Sequence, residues 1–116
     1  MGGGGGMAGR LVRGEVRMCT FAASDKRRPV VVLTRESAIG HLATITVAPI
    51  TSSVRDAPSH ILLDERDGMK HLCAVNLHHI VSVLQEQLGK RIVQLAPARM
   101  AQICTAARFC IGCGTT

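Results

Sequence analysis

Apolar and polar positions change their period along this chain, and each change marks an element. Leu11, Val12, Gly14, Val16 and Met18 are spaced for a first strand, followed by a polar loop from Thr20 to Arg28. Pro29 suits the first position of the next strand, where a missing N–H costs nothing. Val30 to Leu33 have no polar face, which predicts a strand covered on both sides. Arg35 to Gly40 reads as a turn or a single helical turn. From Leu42 to Ile50 the residues alternate, Ile45 and Val47 against Thr44 and Thr46, the pattern of a half-exposed strand whose end Pro49 disturbs.

Thr51 to His60 has loop composition, and Ile61-Leu62-Leu63 followed by Asp64-Glu65-Arg66-Asp67-Gly68 has the spacing of a hairpin. Cys73 to Val75 and Ile80 to Val83 are two further strand-like pieces flanking Asn76 and the His78-His79 pair. Gln85 to Leu88 reads as one helical turn stopped by Gly89, and Arg91 to Leu95 alternates as a last strand. Pro97 then opens a helix in which Met100, Ile103, Cys104, Ala107, Cys110 and Ile111 recur at three- and four-residue steps. Strands first and one packed helix last predict an α+β domain: a small, strongly curved antiparallel sheet or barrel with the helix across one opening.

Composition narrows what such a domain does. The chain has 116 residues with 47% hydrophobic content, enough for one core, and its net charge of +6 favours a polyanionic partner. Residues 1–36 hold seven cations against three acids, so the positive surface is expected to be local. With only Phe21 and Phe109 as aromatics, successive bases have no aromatic platform to stack on, which leaves charge, hydroxyls, His and Arg planes for recognition. Five cysteines, an odd number with no apolar leader before them, read as free thiols in a reducing cytoplasm. Nothing reaches transmembrane length, so no membrane is implicated. Residues 1–9, with five consecutive glycines, read as a flexible extension and residues 10–116 as the domain; Met7 offers an alternative start.

Two stretches carry chemistry. Lys26-Arg27-Arg28 runs into Pro29 and the apolar strand, fixing charge at the mouth of a buried element. Val47-Ala48-Pro49-Ile50-Thr51-Ser52-Ser53-Val54-Arg55 is a second strand that ends in hydroxyls and a cation. Alone, the triplet would read as a solvated loop and Thr51-Ser52-Ser53 as turn chemistry. Arg55 either holds phosphate or pairs with Asp56. His78-His79 reads as a surface or core pair, as a base-stacking or proton-transfer element, or as metal ligands; on a strand, adjacent histidines would point to opposite faces. Cys110-Ile111-Gly112-Cys113 has zinc-ligand spacing but no second pair follows it, so no metal site is expected.

With these residues in view, the chain resembles the MazF/PemK family of toxin endoribonucleases from toxin–antitoxin modules. The likeness rests on Arg13-Gly14-Glu15-Val16, Arg28-Pro29-Val30-Val31-Val32-Leu33, Val47-Ala48-Pro49-Ile50-Thr51-Ser52, Gly68 with Cys73-Ala74-Val75-Asn76, and Leu95-Ala96-Pro97-Ala98-Arg99-Met100. It implies an SH3-like barrel with a C-terminal helix, a homodimer, and cofactor-free, metal-independent cleavage of single-stranded RNA to 2′,3′-cyclic phosphate and 5′-hydroxyl ends. It also implies a cognate antitoxin with an acidic, partly disordered tail. The family's catalytic arginine falls on Arg28 and its catalytic hydroxyl on Thr51. A fork of N–H donors and a hydroxyl suit the charge that builds on a five-oxygen phosphorus. Asp25 is the available carboxylate for a base. Lys26, Arg27, Ser52, Arg55, His78 and His79 are expected to position RNA. Arg17 and Met18 stand where the family usually has aromatics, and His78 and His79 where it often has Asp or Gln. The alternatives are a non-catalytic toxin of the same fold that binds a protein such as DNA gyrase, and a basic nucleic-acid-binding module.

Overall fold

In the computed structural model residues 11–21, 26–40 and 43–111 are described; the expected 1–9 extension, Asp25 and Cys113 lie outside them. Seven strands form an antiparallel sheet: β1 (Glu15–Phe21), β2 (Lys26–Val32), β3 (Thr44–Thr51), β4 (His60–Leu63), β5 (Cys73–Asn76), β6 (Val81–Leu84) and β7 (Leu88–Gln94). A short helix, α1 (Glu36–Ile39), joins β2 to β3, and α2 (Pro97–Ile111) closes the chain. The strand order is β4-β5-β3-β2-β1-β7, with β6 also paired to β3. Among the described residues no ladder joins β4 to β7, so the expected barrel is an open sheet with α2 packed against it.

The apolar run Val30-Val31-Val32 is covered on both faces, as expected of a strand without a polar side. Val31 packs with Val16, Ala48, Leu63, Val75, Leu95 and Ile103 beneath α2. Val30 and Val32 pack with Cys19, Ile45, Val47, Val83 and Leu88 on the other face. Each core residue contributes about 1.5–3 kcal/mol of burial, and the central position of β2 between β1 and β3 follows from having two such faces. In α2, Ile103 and Ala106 are buried, with Met100, Ala107 and Cys110 packed beside them.

Several boundaries differ from the sequence reading. The first strand starts at Glu15, because Gly14 adopts φ +90 and its N–H and C=O bond Val32 and Leu95 across two neighbours instead of continuing an extended run. β1 then runs on to Phe21, and its last residues pair with Lys26, Arg27 and Arg28. The cations are therefore in β2 itself, and Pro29 is its fourth residue, not its first. Gly89 does not stop the Gln85–Gln87 turn as a helix terminator; it lies within β7, where its carbonyl accepts from Arg17.

Two more features hold the frame. Gly68, at φ +93, ends a 3₁₀ turn (Glu65–Asp67) capped reciprocally by Asp64 and Asp67. Arg17, expected to stand in an aromatic's place, is 2% exposed and donates Nε to Glu15 Oε1 at 3.0 Å; Glu15 is equally buried and also accepts from the Val12 N–H. A cation is tolerated in that core face because its counter-ion is built two residues before it, on the same side of β1.

Candidate active site

β3 has one edge that serves two partners in succession. Its C-terminal end pairs with β5 (Ile50↔Val75, Thr51↔Ala74) and its N-terminal half with β6 (Val47↔Val81 to Thr44↔Leu84). Continuing the first register to Val47 would bring up residue 78, yet the residue found there is Val81, three places later. Those three places are the 3₁₀ turn Leu77–His79, extruded from the ladder. Buried Leu77 anchors it, its N–H donating to Ser59 O at 2.9 Å. Asn76 caps it, accepting from the His78 N–H at 3.0 Å.

This bulge overturns one sequence expectation. On a strand His78 and His79 would face opposite ways; in the turn both line one cleft of about 500 Å³, together with Asn76. Thr51, Ser53 and Arg55 form another wall, and Ala57, Ser59 and His60 the third. Among the described residues no carboxylate is in that lining. Arg55 makes no ion pair with Asp56; among the described residues its guanidinium has no partner, while its N–H donates to His60 Nδ1 at 3.3 Å. The hydroxyl of Thr51 accepts from the Ser53 N–H at 3.0 Å, which fixes the side chain and leaves its own hydrogen free to donate.

Arg28 does not line this cleft, but it shares the face. β2 pairs with β3 from Val32↔Val47 to Val30↔Pro49. Pro29 and Pro49 both lack an N–H, and the recorded ladder goes no further. Two residues beyond, at the same register, stand Arg28 and Thr51. Because alternate residues share a face, Arg28 lies on the side of Val30 and Val32, and Thr51 on the side of Ile45 and Val47, which pack in one cluster. Across β5 and β4 the same face continues with Asn76 opposite His60. Arg28, Thr51, Asn76 and His60 are thus carried by four neighbouring strands on one side of the sheet.

The other expected residues divide. Lys26 and Arg28 are exposed on that face, whereas Arg27, one residue between them, is exposed on the opposite one. Ser52 is exposed and outside the cleft lining. Ser59 and His60 were missed by the sequence reading. Ser59 is 3% exposed and its Oγ has no hydrogen-bond partner among the described residues, although it borders the cleft. A serine followed by a histidine at the start of a strand offers no local signal; only the pairing of β4 with β5 brings them beside Asn76.

The thiols stand apart from this face's chemistry. Cys19, Cys73, Cys104 and Cys110 are free. Burial pushes the Cys19 and Cys73 thiols above their ordinary pKa, and the Asp67 and Asp64 charges push Cys73 further. Among the described residues no three His, Cys, Asp or Glu side chains are grouped to hold a metal ion, and no helix is long and apolar enough to cross a membrane.

A curved antiparallel sheet, one C-terminal helix and a basic, hydroxyl-bearing face describe a small nucleic-acid-directed α+β domain. Residues 12–111 match the PemK-like, MazF-like toxins of type II toxin–antitoxin systems, and the chain belongs to that family. A curated relative from Mycobacterium tuberculosis, the probable endoribonuclease MazF5, is 41% identical over 102 residues, covering 87% of this chain and 93% of the relative. Among solved structures, the Mycobacterium tuberculosis toxin MazF-mt6 superimposes with a TM-score of 0.76 at 28% identity, over 84% of this chain and 96% of that one. An endoribonuclease from a mycobacterial species in complex with its cognate antitoxin shares the fold, with a TM-score of 0.79 at 22% identity over 90% of this chain and 97% of its own.

Proposed function

We propose that this toxin is an endoribonuclease that cuts single-stranded RNA by attack of a 2′-hydroxyl on the adjacent phosphate, leaving 2′,3′-cyclic phosphate and 5′-hydroxyl ends. The reading is supported by the position of Arg28 and Thr51, each two residues past the last β2/β3 pair and on one sheet face by strand alternation, with Thr51 lining a cleft that has no carboxylate among the described residues. The Arg28 guanidinium, with no partner of its own among the described residues, is free to fork onto the equatorial phosphate oxygens. The Thr51 O–H donates to a third. Fixed positive charge at the phosphate takes the part a cation would otherwise play, so cleavage proceeds without added metal or cofactor.

Lys26 and Arg55 extend the cationic track on either side of the scissile phosphate, and Arg27 and Ser52 contact the strand at its margin. Residues 10–116 act as the catalytic unit, two copies form the working dimer, and the cytoplasm, where free thiols persist and RNA is present, is the site of action. An antitoxin with an acidic tail would compete for the same basic face and order on binding. The relatives named as endoribonucleases weigh against the gyrase-binding and simple RNA-binding readings.

The test is incubation with a long single-stranded RNA in EDTA, with mapping of the ends. Discrete cuts bearing cyclic phosphate, reduced at least a hundredfold in Arg28→Ala and Thr51→Ala proteins of unchanged melting temperature, are expected. Retention of RNA without cutting would replace the enzyme with a binding module.

A further inference from the structure

We propose that His78 is the general base of the cleavage, an assignment that rests on the ribonuclease reading above and deepens it. Cleavage by an internal 2′-hydroxyl needs a group to take that hydroxyl's proton, and Arg28 and Thr51 are both donors. Among the described residues the cleft beside Thr51 holds three imidazoles and no carboxylate, and imidazole is the side chain that accepts and returns a proton near neutral pH.

The three imidazoles are not equivalent, because the hydrogen bonds fix two of them. His60 Nδ1 accepts the Arg55 N–H at 3.3 Å, so its ring proton is on Nε2. Asn76 Oδ1 is held by the His78 N–H, which turns Asn76 Nδ2, a donor only, toward His79 Nδ1 at 3.4 Å. His79 therefore also carries its proton on Nε2. In both rings the nitrogen able to take a proton is occupied and the remaining one donates. His78 is exposed, and neither of its ring nitrogens has a partner among the described residues, so it alone keeps a free acceptor nitrogen. The turn that extrudes it also removes it from strand alternation and places it in the lining of the cleft that Thr51 shares.

The surrounding groups suit the companion task of holding phosphate. Arg55 from the loop after β3, His60 from β4 and His79, the two imidazoles carrying their protons on Nε2, are donor-bearing side chains lining the same cleft. The charged residues of α2, which packs on this turn, are Arg99, held by Asp67, and Arg108. In the step itself, the 2′-oxygen bonds to phosphorus as its proton passes to His78 and the P–O5′ bond breaks. The departing 5′-oxygen takes a proton from solvent water, and the imidazolium returns its proton to solvent.

The experiment measures kcat and KM against pH on a short single-stranded RNA spanning a mapped cut, for the full chain and for His78→Ala, His79→Ala and His60→Ala. His78→Ala is expected to lose about a hundredfold or more in kcat with KM changed less than about threefold, to lose the acid limb of the rate profile, and to regain at least tenfold on addition of free imidazole. His60→Ala and His79→Ala are expected to raise KM more than they lower kcat and to gain nothing from imidazole. If the wild type cuts the RNA but His78→Ala keeps its rate and pH profile, or if imidazole rescues His79→Ala instead, the assignment to His78 is overturned while the ribonuclease stands. If the wild type makes no cyclic-phosphate ends at all, the ribonuclease reading falls and this one with it. Because His78 is exposed, its variant should melt within about 2 °C of the wild type, and His78→Gln gives an uncharged control that keeps a polar side chain there.

Discussion

Arg99, in the first turn of α2, grips Asp67 with two parallel hydrogen bonds, Nε to Oδ1 at 3.0 Å and Nη2 to Oδ2 at 3.1 Å. Asp67 belongs to the turn that caps the β4–β5 hairpin, so this fork ties the helix to the strand pair that carries His60 and Asn76. Burial raises the Asp67 pKa, but the bonds from Arg99 and from the Asp64 N–H, with the charges of Arg99 and Arg66, outweigh it, and the carboxyl titrates below its ordinary value. A depressed folded-state pKa contributes stability above the unfolded carboxylate value near 3.9 and loses it as pH falls through the folded value. Asp67→Asn should therefore cost about 1–2 kcal/mol at pH 7. Urea melts at pH 7 and at pH 3 should show the gap to the wild type shrinking at the lower pH.

Gly68 needs to be glycine for two separate reasons. Its φ is +93, and a Cβ there would sit 2.6 Å from Val93 Cγ2. Gly68→Ala is expected to lower stability by about 2–3 kcal/mol. Adding Val93→Ala should recover only part of the loss, because it removes the clash and leaves the backbone strain; thermal melts of the two variants separate the contributions.

Glu15 and Arg17 are each 2% exposed in their side chains, and besides each other Glu15 has the longer pair with exposed Arg91 at 3.6 Å and Arg17 the Gly89 carbonyl, so removing one leaves the other's buried charge less well compensated. Either Glu15→Gln or Arg17→Met should destabilise by about 3 kcal/mol, and the double variant by less than the two losses added. A double-mutant cycle from denaturant titrations would read the coupling; strict additivity would show that the two charges do not depend on each other.

The thiols should divide by burial. Cys19 and Cys73, buried and shifted toward the protonated form, are expected to resist iodoacetamide at pH 7.5 until the protein unfolds, while among the four described cysteines half-buried Cys110 labels first. Cys104, half-buried and contacted by Arg13 Nη2 at 2.6 Å, should follow it. Time-resolved peptide mass analysis gives the order directly.

RNA affinity should fall as salt rises, and each phosphate-contacting cation removed should flatten the log–log slope by about 0.7 for a single strand. Arg55→Ala and Lys26→Ala are expected to show that change. Arg27→Ala, on the opposite face, should show less; equal changes at all three would mean that the strand wraps both sides of β2.

Much of this molecule is written locally. The absence of a polar face in Val30-Val31-Val32 dictates a doubly covered strand, the alternation of Ile45 and Val47 with Thr44 and Thr46 dictates which side of the first half of β3 is buried, with Ala48 and Ile50 covered on the other side further on, and Pro97 with its three- and four-residue apolar steps dictates α2. Strand period and helix period are properties of neighbouring residues, so they survive without knowledge of any partner. Arg28 and Thr51 stand out through the resemblance of their stretches to a known family, since alone those stretches read as a solvated basic loop and a turn. What local pattern could not give is the meeting of distant segments. That Gly14 breaks the first strand and that Gly89 sits inside the last one depend on what lies across from them. That His78 and His79 turn to one side, and that Ser59 and His60 join them, depends on β5 and β6 sharing a single edge of β3 with three residues left over. Those residues must leave the ladder, and the direction in which they leave is set by packing across the sheet, which no run of neighbours along the chain encodes.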